Sequence, residues 1–211
     1  MIYVFYTKIY ERLDPKTFDY FLDQLSPDMQ NQILRYRKWE DRQRSLLGKA
    51  LLITGLQSLG LHSYSLRDLK RTEFHKPYFD NTIDFNIAHS GEYVMCGISE
   101  SNRIGIDVEE IKDIPILDFV NEFSKEELED MQKAENPLHS FYTYWTKKEA
   151  FLKAIGSGLN TPLNKVAIKD NIITWENKKW YLFEIKLNSN HVSHVAADCH
   201  SVKINIEMVD F

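Results

Sequence analysis

Residues 104–109 read Ile104-Gly105-Ile106-Asp107-Val108-Glu109. Apolar and acidic side chains alternate with a period of two, the pattern of a β-strand with one face in a core. Ile106 and Val108 take the inner face, and Asp107 and Glu109 point together to the other. Two adjacent acids repel unless something positive lies between them. A hard divalent cation such as Mg²⁺ suits carboxylate oxygen. Gly105 removes a side chain beside the acids, which leaves room for a phosphate to approach the backbone. Taken alone, the hexapeptide fits a solvated strand edge equally well.

Upstream, Asp84–Ser90 reads as a short strand ending in a polar turn. The sequence then predicts a hairpin of Tyr93–Ser99 with 103–109, joined through Ser101-Asn102. Residues 1–8 read as a first strand. Ser26-Pro27 supplies an N-cap and a first helical position. That helical pattern runs through Ile33, Leu34 and Tyr36, breaks near Lys38-Trp39 and resumes from Glu40. Leu46, Leu47, Ala50, Leu51, Ile53 and Leu56 form its apolar face, and Gly60 is its stop. Downstream, Ser124-Lys125-Glu126-Glu127 is a capping box. Asn136-Pro137 opens a helix that runs to Gly156 or Gly158. Residues 166–173, 180–187, 192–199 and 202–209 alternate like strands. This order predicts an α+β chain of two similar halves, 1–104 and 105–211.

The 211 residues are 43% hydrophobic and 27% charged, enough for a core and incompatible with disorder throughout. A net charge of −5 disfavours a general nucleic-acid binder. Cys96 and Cys199 are too few for a disulfide framework and predict free thiols in a reducing compartment. There is no basic leader and no apolar run long enough to cross a membrane. The expectation is a soluble, cytoplasmic protein without a membrane partner.

Four further stretches carry polar chemistry. In Trp145-Thr146-Lys147-Lys148-Glu149-Ala150-Phe151-Leu152-Lys153, Glu149 and Lys153 are four apart and share a helix face, as ordinary surface pairs also do. In Asn86-Ile87-Ala88-His89-Ser90-Gly91 a strand gives way to a turn whose N–H groups, hydroxyl and imidazole can hold a phosphate. His75-Lys76-Pro77-Tyr78-Phe79 is a stiff loop offering one cation. Residues 35–49 gather Arg35, Arg37, Lys38, Arg42, Arg44 and Lys49 against Glu40 and Asp41. This is a positive segment in an acidic chain, suited to a phosphate-rich ligand or to a solvated helix face.

In this order the blocks resemble the 4′-phosphopantetheinyl transferases of the surfactin-synthetase-activating type, over roughly residues 24–165. The resemblance implies a pseudo-dimer of two α+β halves with the site between them, in a monomer. It implies transfer of the phosphopantetheine arm of coenzyme A to a serine of an apo carrier protein (acyl, peptidyl or aryl), with Mg²⁺, releasing 3′,5′-ADP. By the match, Asp107, Glu109 and Glu149 hold the metal, and Asp107, Glu149 and Lys153 are catalytic. Glu149 is the base, directly or through water, and Lys153 neutralises the pyrophosphate. His89 and Ser90 contact the coenzyme A phosphates, Lys76 and Pro77 the nucleotide, and Arg44 and Ser45 the 3′-phosphoadenosine part. The carrier is expected on residues 111–123, through Ile114, Ile116, Leu117, Phe119 and Phe123. Two departures stand out. Asp28-Met29-Gln30-Asn31-Gln32 lacks the lysines that relatives carry there, and His75 replaces a frequent glycine. A metal-dependent phosphohydrolase and a non-catalytic coenzyme A-binding module are the competing readings.

Overall fold

Two Xaa-Pro pairs near the start set two helices. Asp14 accepts from the Lys16 and Thr17 N–H groups and caps α1 (Pro15–Asp23). Ser26 accepts from Met29 N–H and caps α2 (Pro27–Leu34). The helix α1 is absent from the sequence expectations, although Asp14-Pro15 is the same signal as Ser26-Pro27. After a break, α3 (Trp39–Ser58) follows. The computed structural model describes residues 1–211 apart from the Leu159 side chain.

The first sheet contains β1 (Ile2–Lys8), β4 (Asp84–Ser90) and β5 (Tyr93–Ser99), with a small ribbon of β2 (Lys70–Arg71) and β3 (Pro77–Tyr78) beside it in sequence. The expected hairpin of Tyr93–Ser99 with 103–109 does not form. Strand β5 pairs antiparallel with β4 on one side and with β1 on the other, so both its edges are taken. Its true hairpin turns at Gly91, whose φ of 55° suits glycine.

Strand β6 (Ile104–Glu110) instead opens a second sheet. It is followed by α4 (Lys125–Lys133), which carries the capping box, and α5 (Pro137–Ile155), which ends at Gly156 with φ 74°. The expected strand 166–173 is broken by Asp170 and Asn171, with φ of 51° and 58°. Positive φ at two successive residues makes a tight hairpin turn. The run therefore divides into β7 (Ile168–Lys169) and the start of β8 (Ile172–Trp175). Next come β9 (Lys178–Glu184) and β10 (His191–Ala197), giving the order β6-β10-β9-β8-β7. The last strand, β11 (Ile204–Met208), crosses back to lie parallel to β1 in the first sheet.

The protein is thus α+β with two layered halves. Helix α3 covers the outer face of the first sheet, where Phe5, Leu47, Leu51, Phe85 and Ile98 form a core. Helix α5 covers the second, where Phe151, Ala154, Trp180 and Ala196 form another. The inner faces share a third core of Ile2, Val4 and Met95 with Ile104, Ile106, Val108 and Val195.

Strands β4 and β6 form the seam between the halves. They run side by side, but side chains stand in for the backbone ladder. Asp84 Oδ2 accepts from Ile104 N–H (2.9 Å), Asn86 Oδ1 from Ile106 N–H (3.0 Å) and Ser90 Oγ from Glu110 N–H (3.0 Å). Alternate polar residues on β4 thereby satisfy backbone donors of the β6 edge that would otherwise be buried unpaired.

Candidate active site at the seam

Gly105 decides how α5 meets β6. A Cβ at this position would collide with Ala150 O and Ala154 N, so the helix backbone lies directly on the strand. The space beside the acids is therefore filled by α5, not left for a phosphate as the sequence reading had it. This close approach brings the Glu149–Lys153 turn of the helix over the acidic face of β6.

Lys153 Nζ donates to Asp107 Oδ1 at 2.6 Å, with Lys153 half-buried and Asp107 buried. Among the described residues, Asp107 Oδ2 is buried without a partner. Ser90 Oγ donates to Glu109 Oε2 at 2.8 Å while accepting from Glu110 N–H, which fixes Glu109 across the seam. Burial raises the Asp107 carboxyl more than the Lys153 charge and hydrogen bond lower it. Burial also raises Glu109, helped by the Asp107 and Glu149 charges. It raises Glu149, helped by Asp107. Burial alone would lower the Lys153 ammonium, but the Asp107, Glu149 and Glu109 carboxylates outweigh it and hold it raised. Acid and base move the same way because three carboxylates face one lysine, and the site favours taking up positive charge. Among the described residues, no three His, Cys, Asp or Glu side chains are gathered at metal-ligand spacing.

The other bank carries basic side chains. His89 stands exposed at the end of β4. Partial withdrawal from water and the Lys153, Arg44 and Lys49 charges hold its imidazole below the ordinary value. Arg44 Nε donates to Gly91 O (2.9 Å) and Nη1 to Asp41 Oδ1 (2.9 Å), pinning α3 to the β4–β5 turn. Ser45 lies one residue on, its Oγ 3.3 Å from Lys49 Nζ.

Lys76 and Pro77 lie toward the opposite end of β4. Lys76 Nζ donates to Asp84 Oδ2 (2.9 Å), Ala154 O (3.1 Å) and Ile104 O (3.4 Å), so its charge locks β4, β6 and α5 together. Pro77 begins β3 and stiffens the loop that carries it. A cleft of about 840 Å³ lined by Lys76, Asp84 and Arg103 opens there, and none of the three acids lines it.

The segment 111–123 lies along the surface with its apolar side chains partly buried. Phe123 is buried, and Ile111, Ile114, Ile116 and Phe119 pack with Met131 and Phe141. Leu117, 79% exposed, stands clear.

Sequence reasoning passed over Lys148, although it adjoins Glu149. Its fully buried Nζ reaches Glu127 Oε2 (2.7 Å), Leu163 O (3.0 Å) and Glu122 O (3.1 Å), joining α4 to α5. No local pattern distinguishes it from its exposed-looking neighbours.

Family models match both halves of the chain. The 4′-phosphopantetheinyl transferase N-terminal model matches residues 13–101. The 4′-phosphopantetheinyl transferase superfamily model matches residues 103–200. The chain is 36% identical over 186 residues to the 4′-phosphopantetheinyl transferase gsp of Aneurinibacillus migulanus, covering 85% of this chain and 78% of that one. It is 33% identical over 157 residues to the 4′-phosphopantetheinyl transferase Sfp of Bacillus subtilis strain 168, covering 71% and 68%. With both halves matched and the acids, lysine and histidine converging on their common seam, the chain belongs to the 4′-phosphopantetheinyl transferase family, as an enzyme of the Sfp-like type.

Proposed function

We propose that the chain moves the 4′-phosphopantetheine arm of coenzyme A onto the serine hydroxyl of an apo carrier protein, releasing 3′,5′-ADP. One observation carries this reading. Asp107, Glu109 and Glu149 face a single lysine on a seam whose other bank sets the Arg44 and Lys49 charges beside a neutral His89. A pyrophosphate with a divalent cation has this charge pattern.

The donor set suits Mg²⁺. Three carboxylates, all raised by burial, face one ammonium, and Asp107 Oδ2 has no partner. Mg²⁺ needs few protein carboxylates, because water and substrate phosphate oxygens complete its shell. Asp107, Glu109 and Glu149 would hold it. When bound, it would neutralise pyrophosphate charge that one lysine cannot.

The chain's own residues do the rest. His89 and Ser90 position the pyrophosphate at the end of β4, and Ser90 keeps Glu109 oriented. Glu149, held above the ordinary carboxylate range, accepts the proton of the serine hydroxyl. The serine oxygen bonds to the β-phosphorus as the bond from that phosphorus to the bridging oxygen breaks. Lys153 neutralises the charge that grows on the leaving phosphate, and 3′,5′-ADP departs. Leu117 offers the carrier an exposed apolar contact.

The test is mass spectrometry of apo carrier proteins incubated with the protein, coenzyme A and Mg²⁺. The expected result is a carrier one phosphopantetheine heavier, with stoichiometric 3′,5′-ADP. Inorganic phosphate release without carrier modification would select a phosphohydrolase instead.

A further inference from the structure

The acids and Lys153 use one flank of α5, and the other flank holds a second polar cluster. Strand register sets Asp107 on β6, His194 on β10 and Glu184 on β9 opposite one another, so all three share the face that α5 covers. Asp107 belongs to the seam. Glu184 stands two strands away, where a cleft of about 220 Å³ opens between α5 and β9. His139 and Lys147, two turns apart on α5, stand on its helix wall, and Glu184 and His194 on its sheet wall.

His194 is 3% exposed. Thr146 Oγ1 gives its single proton to Tyr142 O (2.8 Å), so at 2.8 Å from His194 Nδ1 it accepts. The neutral ring therefore carries its lone pair on Nε2. Among the described residues, no hydrogen bond reaches Nε2, and the ring lines the cleft. Lys147 and Glu184 face the same cleft without meeting. Among the described residues, neither forms an ion pair or a hydrogen bond through its side chain, and Lys147 Nζ rests only over the Tyr144 ring, 5.8 Å from its centre. The cleft thus offers an ammonium on one wall and a carboxylate on the other, with a buried acceptor beside the carboxylate.

This pattern selects its ligand by elimination. A simple anion would meet Glu184 and the Nε2 lone pair. A metal ion would meet the Lys147 ammonium, and no three ligating side chains are gathered at metal spacing among the described residues. A zwitterion satisfies all three groups. We propose that this cleft binds a small α-amino acid, its ammonium donating to Glu184 and His194 Nε2 and its carboxylate accepting from Lys147. The volume lies below the roughly 300–1,000 Å³ of sites for larger ligands, so the side chain is small. The site lies on the flank of α5 away from the acids at the seam and does not depend on the transfer reaction.

The experiment is titration calorimetry of the intact protein with L-alanine, L-alaninamide and N-acetyl-L-alanine. The amide lacks the carboxylate and the acetyl derivative lacks the ammonium. L-Alanine is expected to bind with a Kd of about 1 mM or tighter, and each derivative about 10-fold or more weakly. Glu184→Gln and Lys147→Met are each expected to weaken L-alanine by about 10-fold or more, while Lys147→Arg, which keeps the charge, retains most of the affinity. Glu184 is exposed and Lys147 only half-buried, so melting curves near wild type are expected to show that the variants fold. No binding of L-alanine, equal binding of either derivative, or unchanged affinity in either charge-removing variant would overturn the proposal.

Discussion

Lys153 Nζ on α5 lies 2.6 Å from Asp107 Oδ1 on β6, and Asp107 Oδ2 has no partner. The pair ties the helix bearing Glu149 to the strand bearing the other two acids. It also leaves the three carboxylates under-neutralised, and this imbalance is the source of the first two predictions.

Asp107→Ala should reduce transfer by about 10²-fold or more, on the scale of other lost electrostatic groups, without loss of stability. Asp107 has a folded-state pKa raised above its unfolded value. Its ionised form therefore opposes folding at neutral pH. Removing it should leave the melting temperature unchanged or higher at pH 7, and that advantage should vanish as pH falls toward the ordinary carboxylate range near ~4. A variant that unfolds at pH 7 would show Asp107 to be structural.

Glu149→Gln keeps the shape but removes charge and basicity, and its turnover should fall by about 10²–10³. Lys153→Ala should lower turnover more than coenzyme A affinity, because the leaving charge grows during transfer. Steady-state kinetics decide this. Near-native rates in both variants would leave Glu149 and Lys153 without a part in transfer.

Gly105→Ala should cost about 1–3 kcal/mol by forcing α5 off β6, since its Cβ meets Ala150 O and Ala154 N. The same displacement carries Glu149 and Lys153 away from Asp107, so turnover should fall too. Urea denaturation and kinetics on one preparation measure both. A variant of normal stability would mean that the glycine serves the ligand and not the helix.

Lys148→Met should destabilise by about 3–5 kcal/mol, because Glu127 would be left buried without its partner. Adding Glu127→Gln should recover a large part of that loss. Denaturant midpoints of the single and double variants test the coupling, and additive losses would contradict it.

His194 is a pH liability. Burial and the Lys147 and His139 charges push its imidazole down to about 3, and its Nδ1 sits 2.8 Å from Thr146 Oγ1. A depressed histidine contributes stability above the unfolded value near ~6.5 and loses it as pH falls from there toward about 3. The loss should reach roughly 2–3 kcal/mol by about pH 4.5. His194→Gln should flatten the profile between about pH 6.5 and 4.5. Parallel profiles for variant and wild type would assign the acid sensitivity elsewhere.

Local signals were legible wherever one residue pattern fixes one local geometry. Ser26-Pro27, Ser124 with Glu127, and Asn136-Pro137 each mark a helix start because a side-chain acceptor meets a free N–H within three residues. Alternation in 104–109 fixes which side chains share a face. The family, and with it the candidate acids and lysine, could be read because those residues sit in contiguous blocks. Strand partners could not. Tyr93–Ser99 lies next to 103–109 in sequence, yet its hydrogen bonds go to β4 and β1, because a buried strand takes whichever edges the whole chain delivers.

The sequence by itself therefore determined the faces, the caps and the family. Tertiary structure alone decided what each charge meets. Lys76, a loop cation in the sequence, is spent on Asp84 and two carbonyls. Lys148 is buried on Glu127 while Lys153, five residues on, faces Asp107. Lys49 reaches only Ser45, one turn back on its own helix. Charge interactions depend on distance and on exclusion of water, and both are set only when α3, α5 and the two sheets close on the seam.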